Sequence, residues 1–275
     1  QQSIADVPLG CFLSGGVDSS LVTALLQHNL DTKIDTFTIG FKEKQYDESA
    51  YASQIAQHLG TSHTVLKLSE DDLLDLWPGQ ANIIDEPLAN ASIIPSFAVS
   101  KLAREHVTVC LSGDGGDELF GGYNRYIWTL RVFQKLSHTP GFIKQLLAKA
   151  ASPRLIHGIN ALFQLMQKTG LLGKQSNVDA KLLKLAEILP KQQLEDIYDY
   201  LLSFWSQPPI SRPVAIPSVV APFCQNGHWS STDFYQQAMA CDQTYYLAED
   251  NLAKVDRAAM AVSLETRLPL LDKST

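Results

Sequence analysis

A short continuous apolar run, Val7–Leu13 (VPLGCFL), breaks off at Ser-Gly-Gly, and from Ser19 to Leu26 apolar side chains return at helical spacing. That order reads as strand, tight loop, helix. A β-rich run, Ile34–Phe41, precedes Asp47-Glu48, which can cap a helix closed by Gly60. His63–Lys67 and Thr108–Leu111 predict a third and a fourth strand, with a helix over Ile94–Arg104 between them. Short apolar strands separated by helices imply a parallel sheet covered on both faces. The predicted fold class is therefore α/β, a doubly wound parallel sheet whose ligands sit at the carboxyl ends of the strands. After Tyr126 the β-branched runs give way to Leu, Ala, Gln and Lys, which predicts a helical second half. Prolines at 208, 209, 213, 217 and 222 mark a loop-rich break before a further helix over Asp233–Ala248. The expected division is a nucleotide-binding core over 1–126 and a mainly helical remainder over 127–275.

Composition narrows the classes. With 275 residues, 45% hydrophobic and 19% charged, the chain can bury a full core. A net charge of -7 argues against a nucleic-acid partner, because phosphate backbones are held mainly by Lys and Arg. No apolar run approaches the roughly 20 residues that cross a bilayer, so no membrane partner is expected. Cys11, Cys110, Cys224 and Cys241 form no CxxC pair, which suits a reduced, cytoplasmic setting without zinc or disulfides. Cys11 sits inside a strand and reads as a small core residue. The seven histidines lack metal-ligand spacing and read as surface or capping groups, while Trp128, Trp205 and Trp229 read as core of the helical half. The sequence begins at Gln1 and ends at Asp272-Lys273-Ser274-Thr275 with no recognisable closing element, as expected of a piece of a longer chain.

Two loops carry the chemistry. Ser14-Gly15-Gly16-Val17-Asp18-Ser19-Ser20 lies between the first strand and its helix, so backbone amides and the helix dipole converge on an anion-sized pocket. Glycines 15 and 16 let the backbone approach a phosphate, Ser14, Ser19 and Ser20 can add hydroxyls, and Asp18 can hold a magnesium ion. A serine-capped glycine turn is the plain alternative for an isolated SGG, and the full string behind a buried strand weighs against it. The second loop, Leu111–Tyr123 (LSGDGGDELFGGY), follows another apolar strand and packs five glycines and three carboxylates together. A merely solvated acidic turn would not need glycines at both ends.

The first string resembles the PP-loop of the ATP pyrophosphatase superfamily, with its adenine nucleotide alpha hydrolase-like fold, whose members split ATP to AMP and pyrophosphate. It is not a Walker A loop, since no Gly-Lys-Ser/Thr follows. Together with the second loop, Asp85-Glu86-Pro87 and Ser263–Asp272 (SLETRLPLLD), the chain resembles the synthetase domain of glutamine-hydrolysing asparagine synthetases, a pattern shared by β-lactam and carbapenam synthetases.

By that resemblance Asp18 and Asp117 would hold magnesium around the pyrophosphate, and Ser14, Gly15, Gly16, Ser19 and Ser20 would line the phosphates. Phe12 or Leu13, Ile39, Ser112 and Gly113 match positions that contact the adenosine part of ATP. Asp114 falls at the acid linked to substrate and intermediate, and Tyr123 at the tyrosine near the adenylated carboxylate. Aspartate or another carboxylate is the implied acceptor. Ammonia would come from an amino-terminal glutaminase domain, and neither that domain nor the adenylation lysine beyond RLPLLD is found in this sequence. Asn90 stands where many relatives carry an acid. Lys254, Asp256 and Arg257 match the family's KVDR segment, either as a structural ion-pair network or as part of the site, and Tyr46-Asp47-Glu48 either orients the substrates or caps a helix. A homodimer stays open as an assembly. The same chemistry on a sugar acid, a β-lactam or a peptide ring, and a non-catalytic ATP-binding module, stay open as alternatives.

Overall fold

The first apolar run pairs as β1 (Leu9–Phe12), flanked on one side by β2 (Asp35–Phe41) and on the other by β4 (Val109–Leu111). The computed structural model describes residues 2–86, 88, 90–144, 184, 186–203, 218, 220, 223 and 232–273. All pairings are parallel, and the five strands lie in the order β3-β2-β1-β4-β5, with β3 at Ser62–Leu68 and β5 at Glu265–Arg267. From β1 the chain winds outward to β3 and then returns to the far side for β4. The winding direction therefore reverses between β1 and β4, the place where a doubly wound sheet opens a crevice for ligands.

Helices α1 (Val17–His28), α2 (Ser49–Leu59), α3 (Glu70–Leu76) and α4 (Ile93–Arg104) fill the crossovers. The four expected strands and the helices over Val17–His28, Ser49–Leu59 and Ile93–Arg104 agree with the sequence reading to within two residues at most ends. Gly60 closes α2 in the left-handed conformation (φ +74°) that glycine alone adopts without strain.

Alternation along the strands divides the core. Cys11, Val109 and Leu111 point to the α1 face, with Val22, Leu26 and Leu270. Phe37 and Cys110 point to the other, against Ala103, Ala259 and Leu264. Each such fully buried Val, Leu or Phe contributes about 1.5–3 kcal/mol by leaving water. Cys11, Cys110 and Cys241 are buried, as the core reading of Cys11 expects; Cys224 lies outside the described residues.

By contact the chain forms two units, Gln1–Gly122 with Asp242–Thr275, and Tyr123–Cys241. The first holds the sheet, α5 (Gly116–Phe120) and a carboxyl-terminal helical stretch ending in α9 (Ala253–Met260). The second, among the described residues, is helical: α6 (Asn124–Ser137), α7 (Leu194–Leu202) and α8 (Phe234–Cys241). There Leu136, Ile188, Leu189 and Ile197 form a cluster, and Tyr126 stacks on Tyr198 at 6.1 Å between ring centroids.

Three expectations need correction. β5 was not anticipated: three residues are too few to show a periodicity, and the strand exists through its register with β4, Val109 opposite Glu265 and Leu111 opposite Arg267. The helix expected over Asp233–Ala248 is α-helical only to Cys241, and Asp242–Leu252 is π-helical, a change of hydrogen-bond register that no Gly or Pro signals. Trp128 is 39% exposed rather than core, because α6 turns Tyr126 and Thr129 inward and carries Trp128 on its outer face. Trp205, Trp229 and the proline-rich break lie largely outside the described residues. No helix among the described residues is long and apolar enough to cross a membrane.

Candidate active site

Leu13 fastens the end of β1: its amide donates to Phe37 O at 2.9 Å and its carbonyl accepts from the Thr38 hydroxyl. The chain then turns through Gly15, where φ is +86° and an added Cβ would sit 2.9 Å from Ala52 N of α2. Within the loop the Ser14 and Ser19 hydroxyls lie 2.9 Å apart, Ser14 N donates to Ser19 Oγ (3.2 Å), Gly16 N donates to Ser14 Oγ (3.2 Å), and Ser20 Oγ donates to Gly16 O (2.6 Å). The three serines thus stiffen the loop in this conformation. No side chain caps α1, so the amides of its first turn keep their capacity for an anion.

The second loop folds directly onto the first. Ser112 N bonds to Arg267 O of β5 (2.9 Å), and Ser112 Oγ donates to Asp114 Oδ2 (2.5 Å), which turns Asp114 back on its own strand end. A Cβ on Gly113 would lie 2.6 Å from Ser19 N, and one on Gly116 would lie 2.7 and 2.8 Å from the two carboxylate oxygens of Asp18. Two of the glycines are therefore required by the contact between loops. Gly115, at φ +91°, abuts Leu271. Asp117 follows Gly116 in sequence, so the two acids singled out from sequence arise at loops that touch.

Burial raises the Asp18 pKa. A carboxyl group so placed, with another acid arising next door, suits a cation. Among the described residues no group of three or more His, Cys, Asp or Glu could enclose a metal. Magnesium does not need such a cage: it keeps water and phosphate oxygens and takes one or two carboxylates. Asp18 and Asp117 fit that donor set.

Beside this junction, at the ends of β1 and β2, opens a cavity of about 230 Å³. Phe12, Leu13, Ser14 and Ile39 line it, together with Tyr46 and Val99. Apolar walls next to the uncapped start of α1 suit a planar base joined to phosphates. Val99 and Ser96 of α4 went unmarked in the sequence because they reach the cavity across the sheet rather than through a motif. Tyr123 belongs to the second unit, where the Arg125 guanidinium lies 3.7 Å from its ring centroid.

The remaining sequence candidates have structural partners. Asp47 Oδ1 accepts from Ser49 N (3.1 Å) and Phe41 N (3.4 Å), and these bonds with Ser49 hold its pKa down to about 2, so Asp47 secures the start of α2. Asn90 donates to Asp250 (2.7 Å). Arg257 forms exposed pairs with Asp85 (3.3 Å) and Asp256 (3.6 Å). Lys254 instead joins a more enclosed chain, donating to Asn251 Oδ1 (2.7 Å), whose amide reaches Glu118 Oε1 (3.4 Å). Among the described histidines, His28, His58, His106 and His138 are exposed, while His63 is half-buried with its Nδ1 3.0 Å from the Thr36 hydroxyl.

The asparagine synthase family model matches residues 1–274. The chain is 32% identical over 273 residues to asparagine synthetase (glutamine-hydrolyzing) 1 of Bacillus subtilis, covering 98% of this chain and 39% of that protein. It is 35% identical over 133 residues to asparagine synthetase (glutamine-hydrolyzing) 2 of Oryza sativa, 44% of this chain and 22% of the relative. A 28% match over 137 residues joins it to amidase chry2 of Gibberella zeae, 44% of this chain and 20% of the relative. The chain thus spans less than half the length of these relatives.

Proposed function

Since the chain belongs to the asparagine synthase family, we propose that it is the ATP-using half of a ligase that adenylates the side-chain carboxylate of aspartate and converts it to an amide. A carboxylate oxygen attacks the α-phosphorus of ATP, the bond to the bridging oxygen breaks, and pyrophosphate leaves. Ammonia then attacks the acyl carbon, AMP departs with the bonding electrons, and the nitrogen loses a proton. In the parent protein the ammonia would come from glutamine through a glutaminase domain.

The contact of the two loops at Asp18 and Gly116, against the uncapped start of α1, carries this reading. The amides of Val17, Asp18 and Ser19 would receive the phosphates, and Phe12, Leu13, Ile39, Ser112 and Gly113 would flank the nucleoside. Asp114, turned by Ser112, is assigned to the substrate side, and Tyr123 to the adenylated carboxylate. Magnesium held by Asp18 and Asp117 would neutralise the charge on the departing pyrophosphate. Fixed donors and positioning are what reactions at phosphorus chiefly require.

The full-length parent, given aspartate, ammonia and magnesium-ATP, is expected to release AMP and pyrophosphate. ADP as the product, or release that does not depend on aspartate, would overturn the proposal. A second reading, carried by the same two loops, is the same adenylation of a different carboxylate. Pyrophosphate release compared across candidate carboxylates separates the two.

A further inference from the structure

Of the motifs singled out in sequence, Arg267-Leu268-Pro269-Leu270-Leu271-Asp272 is one that ATP binding leaves unexplained. Its two charged side chains both reach the leading segment of the chain. Arg267 Nη1 donates to Gln2 O (3.0 Å) and Ile4 O (2.7 Å), while Arg267 Nε donates to Glu265 Oε1 (2.6 Å). Asp272 Oδ2 accepts from Gln2 Nε2 (2.7 Å).

Packing does not hold that segment. Ile4 is 76% exposed, and a cavity of about 450 Å³, walled by Leu25, Leu26, Leu111 and Leu270, borders Gln2 and Ser3. Its placement therefore depends on the hydrogen bonds from Arg267 and Asp272. The same motif also touches the second loop twice: Arg267 O accepts from Ser112 N, and the Leu271 side chain fills the space over Gly115. One rigid turn, a short 3-10 helix over Pro269–Leu271, joins these contacts.

We infer that this motif is a clamp that sets the chain entering the domain in fixed register with the second loop, so that nitrogen delivered from the upstream half arrives where the acyl-adenylate is held. Arg267 and Asp272 are positioning residues in this arrangement, acting through Ser112 and Gly115. The nitrogen-delivery part rests on the glutamine-dependent ligase reading above; the mechanical link does not.

Two measurements on the full-length parent test it, with Arg267→Gln and the milder Asp272→Asn, which keeps an acceptor for Gln2. Hydrogen exchange should quicken over residues 2–6 and, with them, over 112–117 in Arg267→Gln. Arg267→Lys, which keeps the charge but has no second nitrogen to hold Glu265 while its terminal nitrogen serves both carbonyls, should not restore protection. Because 112–117 carries Ser112, Asp114 and Asp117, AMP release should slow with either nitrogen source, and glutamine-dependent release should fall about tenfold further than ammonium-dependent release, since small misplacements between sites cost rate steeply. Glutamate formed per AMP should rise, and Asp272→Asn should move every readout the same way by less. Equal loss with both nitrogen sources, or loosening of 2–6 with 112–117 unchanged, overturns the clamp. If the unmutated parent makes no AMP from either source, the ligase reading fails, and the exchange data still decide the link.

Discussion

Gly116→Ala adds one methyl group where the two loops meet. The new Cβ would lie 2.7 and 2.8 Å from the carboxylate oxygens of Asp18, in addition to a closer approach to its Cγ. Nonbonded carbon and oxygen settle nearer 3.3–3.6 Å, so the carboxylate must retreat by roughly 0.5–1 Å. The backbone raises no objection, because Gly116 opens α5 and is not among the glycines with positive φ. At such a position alanine favours folding by about 0.4–1 kcal/mol, which offsets part of the steric cost. Stability should therefore change by no more than about 1–2 kcal/mol while the ligand set is displaced. A shift of this size is expected to slow pyrophosphate release about 10- to 100-fold, or about 1.4–2.7 kcal/mol of barrier. The magnesium concentration needed for half-maximal rate should rise as well. Gly79→Ala is the matched control, since its Cβ would meet nothing within 4 Å. The assay is pyrophosphate release by the full-length parent at saturating aspartate and ammonia, with magnesium titrated and thermal melts run alongside. Parental turnover and parental magnesium demand in Gly116→Ala would refute the placement of Asp18 at the reacting phosphates.

Asp18→Asn should abolish the gain in ATP affinity that magnesium confers, about tenfold or 1.4 kcal/mol at the least, as read by calorimetry with and without the metal; an undiminished magnesium effect would count against Asp18 as a ligand. His63 has its pKa lowered by burial, against a smaller opposing effect of its bond with Thr36. The folded state therefore favours the neutral ring, and the unfolded ring takes up its proton near the ordinary value of 6.5. Stability should hold above that pH and decline as pH falls below it, more steeply in the parent than in His63→Gln, when melts are compared from neutral pH down to about 5. Equal slopes would remove His63 from the account. Burial pushes the Cys11 thiol up to about 12 and raises that of Cys110 well above its usual range. Both should resist iodoacetamide in the native protein and react only on unfolding, as followed by peptide mass spectrometry; rapid native labelling would contradict their place in the core.

The sheet was legible because a continuously apolar segment such as Val7–Leu13 is what a strand buried on both faces requires, and the crossover helices carry their own period, with Gly60 closing α2. Both loops were legible too, since Gly15, Gly113 and Gly116 each answer to a steric demand that no other residue meets. The role of the serines was read less fully: composition shows hydroxyls near a phosphate turn, while only geometry shows them bonded to one another and to Gly16. β5, the π-helical stretch and the contributions of Ser96 and Val99 were invisible for a common reason. Each is fixed by tertiary contact, with no local propensity or spacing to announce it. Of the KVDR residues, read either as an ion-pair network or as part of the site, Arg257 lies in exposed pairs and Lys254 in the enclosed chain to Glu118.

The sheet's last strand comes from the far end of the chain. During synthesis β4 leaves the ribosome about 150 residues before β5, an interval of roughly 8–30 seconds at ordinary elongation rates. Throughout that time the outer edge of β4 has no partner, Ser112 N lacks the Arg267 carbonyl, and nothing presses on Gly115. The nascent chain therefore presents an open, wholly apolar strand edge that can pair with neighbouring chains. Such a protein should depend on chaperones most heavily between synthesis of β4 and of β5, and slowing translation in that interval should lower its soluble yield more than slowing it upstream of β4.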